Sequence, residues 1–435
     1  MKEKIVLFWF RRDLRLDDNH GLNEALKSGY KVLPLFIFDE AILDKLENKS
    51  DARVSFIHSR IHALNKQLQA YGSGIKVFKA NPETAFKELI KSYSIEAVYL
   101  NKDYEPYALH RDKAIGAICK ENGIGFNTFK DQVIFEEHEV VKDDGTPYTV
   151  FTPYSKKWKN ALSANPIIHY QMEKPEEKYL AFSGKIPDLT QLGFKPSEIA
   201  IPEAHIDESR LQSYAENRNI PEKDATTRVG VHLRFGTISI RKLVTMALPN
   251  SETFLNELIW REFFMQILYH FPKVQEGNFR SKYDLIHWRN NEAEFKSWFE
   301  GKTGYPMVDA GMRELNQTGF MHNRVRMITA SFLTKHLLID WRWGEAYFAS
   351  KLLDYELASN NGNWQWAAGT GCDAAPYFRV FNPTEQQKKF DPKGRYIKKW
   401  IPEIEAASYP NPMVDHKLAR LRALETYKTA LNSIN

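Results

Sequence analysis

The stretch from Asp354 to Gly371, DYELASNNGNWQWAAGTG, sets two carboxylates, several amides and two indoles beside flexible glycines. A core segment would show a clean apolar period and a solvent loop would avoid indoles, so this mixture fits the wall of a site for something flat and aromatic. Upstream, Glu257, Trp260, Arg261 and Phe264 share one face of a helical pattern. A Glu and an Arg four apart are ordinarily an exposed ion pair, yet an indole between them is a poor choice for a purely solvated stripe. In FMHNRVRMI, residues 320–328, Asn323 and Met327 are four apart, with His322 and Arg326 on the neighbouring stripe. This is either the wet side of a helix or part of a site, and Met327 favours the site because a thioether adapts to aromatic ligands. Thr226 and Thr227 stand just before another helical pattern, where hydroxyls and free backbone N–H groups either cap the helix or bind phosphate.

Two kinds of element must position these residues. From residue 4 to about 131, the runs KIVLFWF, KVLPLFIF, IKVFKA and EAVYLNK read as strands, and helical patterns fall near residues 53–71, 81–93 and 105–121. Such alternation predicts a doubly wound parallel sheet. RRDLRLDDNHG follows the first strand without GxGxxG or P-loop spacing, which argues against an adenine-nucleotide enzyme, although an open sheet still offers a crevice at its switch point. Residues 132–204 are polar, basic and proline-dotted and read as a connector wrapping the surface. Beyond 205, LQSYAENR, SETFLNELIWREFFMQILYHF, PMVDAGMRELNQTG, RVRMITASFLTKHLL and GEAYFASKLLDYELA carry apolar stripes near the 3.6 period, which predicts an all-α domain over 205–435.

With 435 residues and 43% apolar content, the chain is long enough for two cored domains. A formal charge of +5 is mild for a protein that approaches a polyanion. Cys119 and Cys372 are the two cysteines, far apart, so neither a disulfide framework nor a cysteine-rich metal site is expected, and no metal is assigned. The N-terminus lacks an export pattern and there is no apolar run of about twenty residues, so the expectation is a cytoplasmic protein without membrane contact. Of ten tryptophans, Trp9 and Trp158 precede residue 200 and the rest follow it.

Taken together, LNELIWREFF, TGFMHNRVRMITASFL and LASNNGNWQWAAGTGCDAAPYFRVFNP resemble the photolyase and cryptochrome flavoproteins, above all the bacterial class I enzymes acting on cyclobutane pyrimidine dimers. The likeness runs from FWFRRDLRLDDN almost to the C-terminus. It implies an antenna-type α/β domain over 1–131, a connector over 132–204 and an all-α FAD-binding catalytic domain over 205–435. The implied activity is a light-driven DNA repair lyase that splits pyrimidine dimers by electron transfer from excited, reduced FAD. The alternative is a cryptochrome-type blue-light receptor without repair.

Residue by residue, the resemblance implies FAD contacts at Tyr214 and along Thr226, Thr227, Arg228, Val229 and Gly230. It implies further contacts at Phe254, Glu257, Arg261, Asn323, Arg326, Asp354, Tyr355 and Glu356, with Arg326 and Asp354 as an ion pair and Asn360 facing the central flavin nitrogen. Trp260 and Trp366 would sandwich the lesion, with Glu257, Asn323 and Met327 beside it, and Arg218, Arg324 and Gln386 would touch DNA. Trp364, Trp341 and Trp288 would carry electrons from the surface to the flavin. Phe254, Phe320, Gly230 and Glu356 depart from commoner family residues. Tyr107 and Ala108 replace the Asn and Glu of folate-using relatives, which speaks against folate and leaves a deazaflavin, another flavin or no second chromophore. The expected partner is UV-damaged DNA with a flipped-out dimer, bound by a monomer in the cytoplasm at the bacterial nucleoid.

Overall fold

The computed structural model describes residues 3–171 and 177–432. The chain divides into two compact units: residues 1–140, 158–204 and 229–249 form one, and residues 141–157, 205–228 and 250–435 form the other. The first holds strands β1 Lys4–Phe10, β2 Lys31–Asp39, β3 Lys76–Ala80, β4 Ser94–Asn101 and β5 Gly125–Phe129. All pair in parallel in the order β3-β2-β1-β4-β5. Helices α1 His20–Lys27, α2 Glu40–Leu43, α3 Ala52–Gln69, α4 Pro82–Ser92 and α5 Pro106–Glu121 alternate with them. β1 and β2 are near-continuous apolar runs because crossover helices cover both faces of a parallel sheet.

At the switch point between β1 and β4 the sequence that lacked a phosphate motif builds a polar clasp. Asn101 at the end of β4 donates to Asp13 Oδ2 at 2.6 Å and Asn19 Oδ1 at 2.8 Å, and accepts the Gly21 N–H at 2.9 Å. Below it, Arg15 donates to both oxygens of Asp131 at 2.7 and 2.8 Å. Arg241 bridges Asp131 at 2.8 Å and Asp18 at 3.0 Å. Those contacts give residues 229–249, assigned from sequence to the helical domain, their place in the sheet unit. Segment 132–204 likewise differs from a plain connector: it contains α6 Phe151–Ala164 and contributes to both units.

The sheet unit also takes α9 Gly230–Arg234 and α10 Ile240–Asn250. In the helical unit, α7 Glu208–Gln212 and α8 Tyr214–Asn217 are short, breaking the single helix read over LQSYAENR. They are followed by α11 Glu252–His270, α12 Glu292–Phe299, α13 Pro306–Thr318 and α14 Asn323–Ser331, which passes into a π turn over Phe332–His336. Then come α15 Trp341–Lys351, α16 Leu357–Ala368, α17 Pro383–Phe390, α18 Arg395–Trp400 and α19 His416–Asn432. The continuous helix expected over GEAYFASKLLDYELA is interrupted at residues 352–356, because the Leu353 N–H leaves the helical ladder for the Gly319 carbonyl at 2.9 Å. Thr226 and Thr227 do not cap α9; its N-cap is Val229, with no side-chain bond. One apolar core gathers Trp298, Trp341 and Trp364.

Burial favours a protonated Asp131, but the guanidinium groups of Arg15 and Arg241 outweigh it and hold this carboxyl below its ordinary value. Its stabilising share is therefore full above an unfolded-state value of about 4 and is lost as pH falls through the folded value. Asp131→Asn, which leaves two buried guanidinium groups underpaired, should cost roughly 3–5 kcal/mol at neutral pH. Urea unfolding should show the gap to wild type narrowing below about pH 4; a gap that is constant with pH would contradict this account of the network.

Candidate functional site

Helix α16 is keyed to α15 and α11 by rings packed directly against glycines. A Cβ on Gly344 of α15 would lie 2.1 Å from the Trp364 ring, and a Cβ on Gly362 of α16 would lie 2.1 Å from the Phe264 ring. Each ring slots against a helix where a side chain is missing, which fixes α16 relative to its neighbours. The non-helical residues 352–356 that split α15 from α16 then place Asp354 and Glu356 in the lining of a cavity.

Arg326 Nη2 reaches Asp354 Oδ2 at 3.0 Å, with its Nε held by the Met321 carbonyl at 2.7 Å. Arg261 of α11 pairs with Glu356 at 3.2 Å, and Ser359 Oγ donates to the other Glu356 oxygen at 3.1 Å. Thus Arg261 and Glu257, four apart on α11, do not pair with each other: Glu257 binds Arg218 at 2.6 Å. Burial raises the Glu257 carboxyl, and the Arg218 guanidinium only partly opposes it. Asn360 spends its amide N–H groups on Glu345, at 2.8 Å to Oε1 and 3.1 Å to the backbone carbonyl. Glu345, absent from the sequence reading, is itself raised by burial. With its donors committed, Asn360 has its carbonyl oxygen left for the cavity that it lines.

The cavity also takes Tyr355, Asn323, Met327, Trp364 and Trp366 into its wall. Trp260 lies outside this lining, stacked on Phe151 with centroids 3.7 Å apart. Tyr214 and Phe254 meet edge to face at 5.2 Å, and burial pushes the Tyr214 hydroxyl up to about 12. Thr226, Thr227 and Arg228 fall in the helical unit, whereas Val229 and Gly230 fall in the sheet unit. Arg228 takes a left-handed φ of 52° and pairs with Asp224 at 3.1 Å. Arg324 donates to Asn219 Oδ1 at 2.7 Å and lies 4.4 Å over the Phe390 ring, on the same helix as Gln386. His322 caps α14 and is driven down to about 4 by burial and by Arg326, Arg324, Arg218 and Arg228. Trp341 is buried with Trp364, its Nε1 donating to Asn278 at 2.9 Å, and Trp288 packs against that core and edge-on to Tyr427 at 6.1 Å.

Asp354 Oδ1 is buried on the wall with no hydrogen-bond partner among the described residues. A buried carboxylate oxygen left open beside a paired arginine, a free amide carbonyl and indole faces suits a planar heterocycle with ring N–H groups and a polyhydroxyl chain. Among the described residues, no group of His, Cys, Asp and Glu could hold a metal ion, and no helix is long and apolar enough to cross a membrane.

Two family profiles match the chain: DNA photolyase over residues 6–176 and the FAD binding domain of DNA photolyase over residues 254–408. A deoxyribodipyrimidine photo-lyase of Synechococcus is 37% identical, covering 95% of this chain and 94% of the relative. The crystal structure of a bacterial class III photolyase from Agrobacterium tumefaciens superposes with a TM-score of 0.87 at 32% identity, over 99% of this chain and 98% of that one. An archaeal photolyase from Sulfolobus tokodaii with two FAD molecules gives 0.86 at 36% identity, over 98% and 99%. With near-complete coverage by such relatives and both family domains in order, the chain belongs to the photolyase and cryptochrome family and carries its FAD-binding domain.

Proposed function

We propose that this chain is a light-driven DNA repair lyase, a deoxyribodipyrimidine photo-lyase that splits cyclobutane pyrimidine dimers. The observation that carries the reading is the cavity wall on which the Arg326–Asp354 pair, the carbonyl face of Asn360 and the Trp366 indole meet. FAD in its reduced form, when bound, supplies light absorption and the transferred electron. Arg326 and Arg261, each backed by a carboxylate, offset negative charge on the reduced cofactor without leaving a cation unpaired in a dry site. Asn360, held by Glu345, offers an acceptor rather than an acid to the cofactor, so the reduced form is not protonated from this side. That residue favours repair over a cryptochrome-type receptor.

Trp260 and Trp366 supply aromatic faces that replace the stacking a flipped-out dimer loses on leaving the duplex, with Asn323 and Met327 beside it. Glu257 would donate to a pyrimidine carbonyl in its protonated form, which burial favours and the Arg218 guanidinium opposes. Trp364, Trp341 and Trp288 would relay electrons that recharge the cofactor. Arg218, Arg324 and Gln386 would touch the DNA strand. The reading carries with it a monomeric enzyme in the cytoplasm at the nucleoid, and leaves the second chromophore, if one binds, unassigned.

Illuminating the reduced protein with an oligonucleotide containing one thymine dimer should restore the intact thymines; no recovery with the cofactor verified as reduced would overturn the reading. Arg324 is held by a neutral amide rather than a carboxylate, so its charge is open to phosphate. Arg324→Gln should lower the magnitude of the log affinity against log salt slope by about 1, and an unchanged slope would remove it from the DNA contacts.

A further inference from the structure

The stretch Tyr148 to Tyr154, read from sequence as part of a surface connector, reaches the lesion wall. The Phe151 ring lies 3.7 Å from the Trp260 indole, centroid to centroid, with the planes only 4° apart. Phe263 closes one side of this stack edge-on, at 6.0 Å and 80° to Phe151 and at 5.6 Å and 83° to Trp260. Phe151 is itself held at the start of α6, where a first-turn N–H has no helical partner. Asp373 Oδ2 accepts that N–H at 3.0 Å. One turn further on, the Tyr154 ring packs on Phe263 at 5.3 Å and its hydroxyl reaches Glu262 at 3.5 Å.

A half-buried indole is free to turn about its χ angles unless both its edge and one face are blocked, and stacking with a base rewards only the correctly turned plane. Phe151 covers one face of Trp260, Phe263 meets its edge and Phe264 lies tilted by 30° at 5.4 Å, so the part of this half-buried indole still open to a ligand ring is held in a fixed plane. Asp373 follows Trp366 in the same chain segment, so the brace of one lesion indole is tied to the strand of chain carrying the other.

We infer that Phe151 is a positioning residue for lesion discrimination: by stacking on Trp260 and being clamped by Asp373, it presets the indole plane that receives the pyrimidine dimer. This rests on the reading of Trp260 as a lesion contact. Phe151 acts through Trp260, so undamaged DNA, whose bases stay stacked in the duplex, is expected to gain nothing from it. Leucine fills much of the same volume without offering a flat face, whereas tyrosine keeps the face.

The test compares wild type, Phe151→Leu, Phe151→Tyr and Trp260→Ala as intact flavoproteins, measuring Kd for one oligonucleotide with and without a thymine dimer, and KM and kcat for repair under saturating light. Phe151→Leu should weaken dimer binding by about tenfold, a typical share of one base stack, raise KM in step, and leave undamaged DNA binding and kcat unchanged. Phe151→Tyr should restore wild-type values. If Trp260→Ala lowers dimer selectivity but Phe151→Leu does not, or if Phe151→Leu weakens both DNAs equally, the inference is overturned. If Trp260→Ala itself leaves selectivity intact, the reading of Trp260 as a lesion contact is what falls.

Discussion

The site depends on three helices keyed together by aromatic rings packed against glycines. Gly344 admits the Trp364 ring and Gly362 admits the Phe264 ring, so α15, α16 and α11 approach more closely than side chains would otherwise permit. Most of α16 is buried, with Ala358, Asn360, Asn361, Trp364, Gln365, Ala367 and Ala368 inside, while Asn363 is exposed and Ser359 and Trp366 are half-buried. Its amides are anchored inward, Asn361 and Gln365 both donating to the Val274 carbonyl, at 3.0 and 3.1 Å. A helix keyed by rings against glycines and by inward-facing amides is fixed in position, which holds the residues of its remaining face in place.

Burying such a helix beside charged groups raises the cost of every unpaired ion, and the site answers with neighbour-by-neighbour compensation. Arg326 with Asp354 and Arg261 with Glu356 set each of these cations beside a carboxylate. Asn360 and Glu345 extend the same logic to a neutral amide and a carboxyl whose burial favours its protonated form. The arrangement is suited to accepting negative charge at a chosen moment, because its dipoles and cations are already oriented and need not reorganise.

Much of this was legible from residue types. β1 and β2 declared themselves through runs apolar on both faces, and the indoles of WQW marked α16 as more than core. β5 escaped because GFNTF is a short strand that is only partly buried. The break between α15 and α16 escaped because Leu352, Leu353 and Tyr355 keep the helical period, while the Gly319 carbonyl that unwinds it is remote in sequence. Glu345 and Phe151 were invisible for the same reason: neither has a local signature, and each acquires its role from a partner, Asn360 or Trp260, on another helix. Residues 229–249 group with the sheet unit through Arg241's pairing with Asp18 and Asp131, of which their helical pattern says nothing.

α16 thus presents separate surfaces within a few residues: Asn360 and Trp366 on the cavity wall and Trp364 into the tryptophan core. The division of labour is tested most directly by Trp364→Phe, which keeps an aromatic ring against Gly344 but removes the indole. The account predicts that light no longer reduces the oxidised flavoprotein while chemically reduced enzyme repairs thymine dimers at close to the wild-type rate. Loss of both activities together in a variant that still binds FAD, or retention of photoreduction, would contradict it.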